Sequence, residues 1–184
     1  MRKFFTTIPL LFLFGCVSLV PWVQTHSSKE YKDGARDFAA VLPDGWMRFT
    51  MDKYFLITRD GTALNTIVVE RQRLKDKLEF TKKKLTEDML LMDIAEVEAD
   101  NYKTNKNVNS FSIDEDAPTT IGGQEAFVLK YSYQTRSGLA MKGFHYGFKY
   151  KNWLYRVRFE APAQHYYSQT LPVFEQFVKT FRLL

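Results

Sequence analysis

Cys16 is the only cysteine of the chain, so its thiol has no disulfide partner within the sequence. It closes the tetrapeptide Leu13-Phe14-Gly15-Cys16, directly behind a short apolar run. The other reactive side chains form no catalytic constellation. No serine sits in a Gly-x-Ser-x-Gly frame; Ser137 precedes Gly138 in what reads as a hairpin. The three histidines, His26, His145 and His165, lack ligand spacing such as His-x-x-x-His. Asp114-Glu115-Asp116 reads as an acidic loop, but it lacks the glycine and terminal glutamate of a calcium loop. Glu87, Asp93, Glu96 and Asp100 belong to one helical stretch, where a solvated face accounts for them. Catalytic, metal and cofactor residues are therefore expected to be none.

The N-terminus explains the cysteine. Arg2 and Lys3 form a charged start, residues 4–14 are apolar apart from Thr6, Thr7 and Pro9, and Gly15 is the small residue before a cut. The apolar run is about half of the roughly 20 residues needed to span a bilayer. The tetrapeptide resembles the lipobox of bacterial lipoproteins: Leu13, Gly15 and Cys16 match, and Phe14 departs from the small or medium residue usual there. That resemblance implies a diacylglycerol on the Cys16 sulfur, cleavage before Cys16, a signal peptide over 1–15 and a bilayer as permanent partner. The competing reading is an ordinary signal peptide cut further on. One acyl chain anchors only marginally, at about 0.8 kcal/mol per buried CH₂, whereas lipoproteins carry two or three. Val17 stands where an Asp usually retains a lipoprotein at the inner membrane, so the analogy leans toward the outer membrane, facing the periplasm.

Loss of Arg2 and Lys3 with the signal lowers the formal charge from +5 to +3, too mild and too mixed with acids for nucleic acid. Residues 16–184 suffice for one domain with a proper core, held by packing rather than disulfides. Residues 16–30 read as a tether, and 31–184 as the domain.

Within the domain, 38–42, 46–51, 54–59 and 64–74 read as strands, with turns at Pro43-Asp44-Gly45 and Asp60-Gly61. The period then changes. Thr86 can cap a helix over about 86–104, with Met89, Leu90, Ile94, Val97 and Tyr102 as its apolar stripe and Asp93, Glu96, Glu98 and Asp100 on its surface. After a short strand at 108–113, turns at Gly122-Gly123, Ser137-Gly138 and Lys151-Asn152 separate three alternating strands. These give a meander with one aromatic face and one largely polar, basic face. Tyr167, Leu171, Phe174, Val178 and Phe181 are spaced by 4, 3, 4 and 3 residues, so a terminal helix packs its stripe on the aromatic face. Pro172 places the main start of that helix near Leu171.

The basic side chains offer an interaction face. Lys142, His145, Lys149, Arg156 and Arg158 gather on adjacent strands; Lys75, Lys77 and Lys82-Lys83-Lys84 form a second group. Beside a membrane, each basic residue near anionic headgroups is worth about 1 kcal/mol. The expected partner is an anionic surface or an acidic protein of the envelope.

Three segments carry a wider resemblance: 38–46, ending Leu42-Pro43-Asp44-Gly45-Trp46; Ile121-Gly122-Gly123-Gln124-Glu125-Ala126, leading into a long strand; and 171–182, Leu-Pro-Val-Phe-Glu-Gln-Phe-Val-Lys-Thr-Phe-Arg. Together they resemble the PsbP-like superfamily, which includes many bacterial lipoproteins; Thr180 stands where Ser is commoner. The resemblance implies an α+β fold, an α/β/α sandwich around a central antiparallel sheet, and an accessory, non-catalytic role. A carrier or sensor of a small apolar ligand is the alternative, and an envelope hydrolase a third.

Overall fold

The computed structural model describes residues 21–184 except residue 52; Cys16 and the signal segment lie outside the described residues. Eleven strands and two helices are described. The strands are β1 (Trp22–Gln24), β2 (Glu30–Asp33), β3 (Phe38–Val41), β4 (Met47–Phe49), β5 (Phe55–Thr58), β6 (Thr66–Arg73), β7 (Val108–Ile121), β8 (Gln124–Thr135), β9 (Ala140–Tyr150), β10 (Trp153–Pro162) and β11 (Arg182–Leu183). The helices are α1 (Leu91–Lys103), between β6 and β7, and α2 (Tyr166–Thr180), between β10 and β11. Eight strands form one sheet in the order β1-β4-β5-β6-β10-β9-β8-β7, and β11-β3-β2 form a smaller one. Every pairing is antiparallel. No helix among the described residues is long and apolar enough to cross a membrane.

Alternation along the strands builds two cores. On one face Ile67, Val69, Phe144, Phe148, Tyr155, Val157 and Phe159 meet Phe174 and Phe177 of α2. Rings stack there: Phe159 lies 5.2 Å from Phe174 and Phe148 5.1 Å from Tyr155. Each fully buried Phe contributes on the order of 2–3 kcal/mol, so the expected helix-on-aromatic-face packing carries much of the stability. On the other face Phe127, Leu129, Tyr131 and Leu154 pack against Ile94, Ala95, Val97 and Ala99 of α1.

Several elements differ from the sequence reading. α1 starts at Leu91 rather than Thr86. Lys149 Nζ donates to the carbonyls of Glu87 (3.2 Å) and Met89 (2.7 Å), which holds that stretch in a turn. The Asp93 carboxylate then accepts the Leu90 N–H at 3.2 Å, an anion in the first turn where the helix dipole favours it. β7 runs on to Ile121, so Asp114-Glu115-Asp116 is strand, with Glu115 opposite and ion-paired to Lys130. α2 starts at Tyr166; Pro172 sits inside it on the exposed side, where water can meet the carbonyl it leaves without a donor. The segment read as tether is partly sheet: β1 pairs with β4, and buried Thr25 donates its N–H to the Trp46 carbonyl at 2.7 Å.

Candidate binding groove

The strand face expected to be solvated and basic is largely covered. Register puts Phe127, Gly147, Arg156 and Glu70 in one row, and Leu129, His145, Arg158 and Val68 in the next. The large residues of β8 thus share a face with His145 and the arginines, not with Phe144 and Phe148. Gly143 and Gly147 make room for them. A Cβ on Gly147 would come within 2.1 Å of the Phe127 ring, and one on Gly143 within 2.5 Å of Tyr131. Across the other side of the row α1 closes over β7, β8 and β9.

His145 is consequently fully buried, with Phe127 5.5 Å and Tyr102 6.0 Å away ring to ring. Neither ring nitrogen has a hydrogen-bond partner in the protein. Burial, reinforced by Arg158 and Arg156, pushes its pKa well below the usual range, so it stays neutral. Arg156 is 3% exposed and donates through Nε (3.0 Å) and Nη2 (2.6 Å) to Oε1 of Glu98, which is 2% exposed. Glu70 takes a second contact from Arg156 (3.4 Å) and one from Arg158 (3.1 Å). Next to these, Tyr131 donates to Glu160 at 2.6 Å, and its oxygen lies 3.1 Å from the Tyr102 hydroxyl. Burial raises the Tyr102 pKa to about 12 and lifts Tyr131 and Tyr133 as well, so all three remain protonated donors.

Of the five residues expected to form an exposed face, His145 and Arg156 are therefore interior. Lys149 is half-buried and tied to the chain before α1, and exposed Lys142 points to the opposite face, its Nζ 5.6 Å from the Tyr167 ring. Only Arg158 and the tied-down Lys149 combine the expected strand face with partial exposure.

Where α1 stops short of β6 a groove of about 570 Å³ opens. Glu70, Arg156 and Arg158 line its floor, Glu98, Asn101 and Tyr102 of α1 with Asn105 just beyond its end one wall, and the 76–80 loop the other. Gln72 fixes that loop by donating to the carbonyls of Asp76 (3.0 Å) and Lys77 (3.2 Å), and Asn101 Oδ1 accepts the Phe80 N–H at 2.9 Å. At the rim the guanidinium carbons of Arg71 and Arg73 lie 4.5 and 4.7 Å from the centre of the Trp153 ring, close enough for cation–π attraction. Arg71 is further held by an ion pair with Asp37 and by the Ala35 carbonyl at 2.8 Å. Among the described residues no group of three or more His, Cys, Asp or Glu is placed to hold a metal ion. The arrangement suits rigid recognition: its charges are fixed in place, its tyrosines are protonated and its histidine is neutral and enclosed.

Sequence reasoning did not single out Glu70, Glu98, Tyr102, Tyr131, Glu160 or Trp153 for this site. The available signal was Gly143-x-x-x-Gly147, two side-chain-free positions on the His145 face of one strand, which marks that face as one large rings must fill.

The architecture matches solved structures over most of the chain. The solution structure of cyanobacterial PsbP (CyanoP) from Synechocystis sp. PCC 6803 superimposes with a TM-score of 0.61 at 11% identity, covering 92% of this chain and 96% of that one. The fold is PsbP-like. LpqN, involved in cell envelope biogenesis of Mycobacterium tuberculosis, matches with a TM-score of 0.58 at 15% identity, over 84% of this chain and 89% of that one. The Saccharomyces cerevisiae Ran-binding protein Mog1p matches at 0.56 and 9% identity, over 84% and 94%. No protein-family model matches the sequence, and no curated protein does. At these identities the PsbP-like likeness establishes the α+β architecture, in which a central antiparallel sheet is flanked by helices.

Proposed function

We propose that this chain is a lipid-anchored, non-catalytic binding domain of a bacterial cell envelope. Cys16 carries the lipid, the outer membrane facing the periplasm is its site, and the groove between β6, β10 and α1 receives a protein partner. One observation carries the reading: the ionisable groups of the groove floor, Glu70, Arg156 and Arg158, and Glu98 on its α1 wall are committed to one another. Such groups give a fixed pattern of charge for recognition and little freedom for proton transfer. Arg71 and Arg73 over the indole of Trp153, with Lys77 on the groove's loop wall, suit an acidic segment bearing an apolar or aromatic side chain. The names of LpqN, an envelope-biogenesis protein, and Mog1p, a Ran-binding protein, lend support to binding as the role of this fold. The aromatic face, the place for an apolar ligand, is occupied by α2.

The test has two readouts on protein taken from its own membranes. Mass spectrometry should return a chain beginning at Cys16 with acyl groups; a chain cut elsewhere removes the anchor from the reading. A photo-crosslinking residue in place of Phe80, which is exposed at the groove wall, should capture one discrete partner, and Arg73→Glu should abolish that capture. Crosslinks indifferent to Arg73→Glu would take the groove out of the proposal.

A further inference from the structure

The anchor reading leaves open which side of the domain meets the bilayer, and the sheet itself answers. One row crosses its first four strands: Trp22 of β1 opposite Phe49 of β4, Phe49 opposite Leu56 of β5, and Leu56 opposite Val68 of β6. Cross-strand partners project to one face, so these four apolar side chains share a surface. α1 lies over β7–β9, and α2 over β10 and β3, so neither helix substantially covers this quarter of the sheet. Trp22, Phe49 and Val68 remain half-buried, and Trp22 and Phe49 are in ring contact at 4.9 Å. Beside them Met51 is 72% exposed and, around the edge of β1, Val23 is 48% exposed. Exposed apolar groups gathered this way mark an interaction surface.

We propose that this apolar end, Trp22, Val23, Phe49 and Met51, rests in the headgroup layer of the membrane that holds Cys16. The proposal depends on the anchor reading above. The decisive argument is reach. Five residues separate Cys16 from Trp22, and the six steps of no more than about 3.6 Å each span at most about 22 Å. Thr50 donates both its N–H (2.8 Å) and its hydroxyl (2.9 Å) to the Pro21 carbonyl, so Met51 lies at the same end as the chain's entry into the fold. A lipidated Cys16 therefore holds this patch within about 22 Å of the acyl chains, near enough for it to settle into the headgroup layer, and among the described residues no other exposed apolar side chain has so short a link along the chain. Trp and Phe are side chains that favour the membrane–water interface, with the indole N–H left among polar headgroups. Arg48, on the neighbouring position of β4, has its guanidinium 5.1 Å from the Tyr31 ring, a basic group at the same end.

The experiment uses the mature lipoprotein in vesicles of phosphatidylethanolamine and phosphatidylglycerol. With Cys16 acylated, Met51→Cys supplies the one free thiol for a nitroxide label. Arg136→Cys supplies a control on the β8–β9 turn, four to five strand spacings or roughly 19–24 Å across the sheet from β4. Collision with oxygen, which partitions into lipid, should exceed collision with a water-soluble nickel chelate several-fold at residue 51, with the order reversed at residue 136. Val23→Glu combined with Trp22→Gln should shift the label at 51 toward water while the protein stays vesicle-bound. A water-like label at 51 on an acylated, vesicle-bound protein overturns this inference alone. A protein whose mass lacks acyl groups and which does not bind vesicles overturns the anchor and this inference with it. Strong dipolar coupling between labels at 51 shows a second copy on the patch and also overturns it.

Discussion

Removing the carboxylate of Glu98 should be among the more costly single changes in the domain. Glu98 is 2% exposed and takes two donors from Arg156, which is 3% exposed. Glu98→Ala leaves that guanidinium buried with only Glu70 at 3.4 Å, an acid already shared with Arg158 at 3.1 Å. Breaking a buried pair on one side costs about 3–5 kcal/mol, because a charge is left without compensation. The residual Glu70 contact places this case at the lower end, about 3 kcal/mol. In a domain of this size that corresponds to a fall in Tm of about 6–12 °C. The charge, rather than lost volume, is the cause, so Glu98→Leu combined with Arg156→Met should lie within about 1.5 kcal/mol of the parent. Urea unfolding of the three proteins at pH 7.5, followed by far-UV circular dichroism, measures the whole set. The reasoning is refuted if Glu98→Ala costs less than about 1 kcal/mol, or if the double variant is as unstable as the single one.

Two further predictions concern the same face of the sheet. His145 has a folded pKa held well below its ordinary value by burial and by Arg158 and Arg156, so below about pH 6.5 the unfolded chain binds the extra proton. Its stabilising effect is complete above pH 6.5 and is lost as pH falls toward the folded pKa. The slope should reach about 1.4 kcal/mol per pH unit; the guanidiniums of Arg156 and Arg158 only donate, neither ring nitrogen has a partner in the protein, and His145→Phe should flatten this part of the profile in urea titrations between pH 7.5 and 5. Gly147→Ala should cost about 2–3 kcal/mol in the same assay, because its Cβ would meet the Phe127 ring at 2.1 Å; adding Phe127→Leu should recover part of that loss, and simple additivity of the two changes would contradict the close approach.

What the sequence made legible follows from how locally each feature is encoded. The α2 stripe could be read from spacing alone, and the structure buries Phe174 and Phe181 of it, together with Phe177, which the stripe left out. Turns at Asp60-Gly61, Gly122-Gly123 and Ser137-Gly138 could be read from residues that accept positive φ, and Gly61, Gly122, Gly123 and Gly138 all adopt it. The face shared by two strands is different in kind. It depends on register across a turn, and one residue of slip moves every side chain to the other side. The alternation of β8 was legible, but aligning Phe127 with Phe144 rather than with Gly147 turned a covered face into a solvated one. Glu98 was assigned to the helix surface for the same reason: its burial depends on Arg156, 58 residues away. β7 was read short because Asp114-Glu115-Asp116 carries loop chemistry locally, while pairing with β8 holds it extended. Lys142 is the instructive exception. Its parity matches Phe144, Tyr146 and Phe148, so its place on the α2 side was legible from β9 alone.

A single row of the sheet connects the two proposals. It runs Trp22, Phe49, Leu56, Val68, Arg158, His145, Leu129 and Asp116. Along it the surroundings pass from half-buried apolar to charged groove floor, then to the interior beneath α1 and out to exposed Asp116. The middle of this row offers ion-paired charge to solvent, and its position is set by the strand order: β6 is the third strand in from β1, about 14 Å away at ordinary strand spacing. With the β1 edge at the bilayer, the mouth of the groove stands one or two Debye lengths above the lipid at physiological salt. Exposed Lys77 at that height, unlike Arg156 and Arg158 with their own counter-charges, still acts on its surroundings. At that distance the headgroup field is largely screened, so reach separates the candidate partners: a segment of a protein held in the same membrane is already beside the groove. The geometry therefore favours a membrane-held partner, for which tethering raises the effective concentration. The same Arg73→Glu change should then weaken capture far more when both proteins are anchored than it changes the stability of the domain itself, since Arg73 is exposed and its contact is with the Trp153 ring.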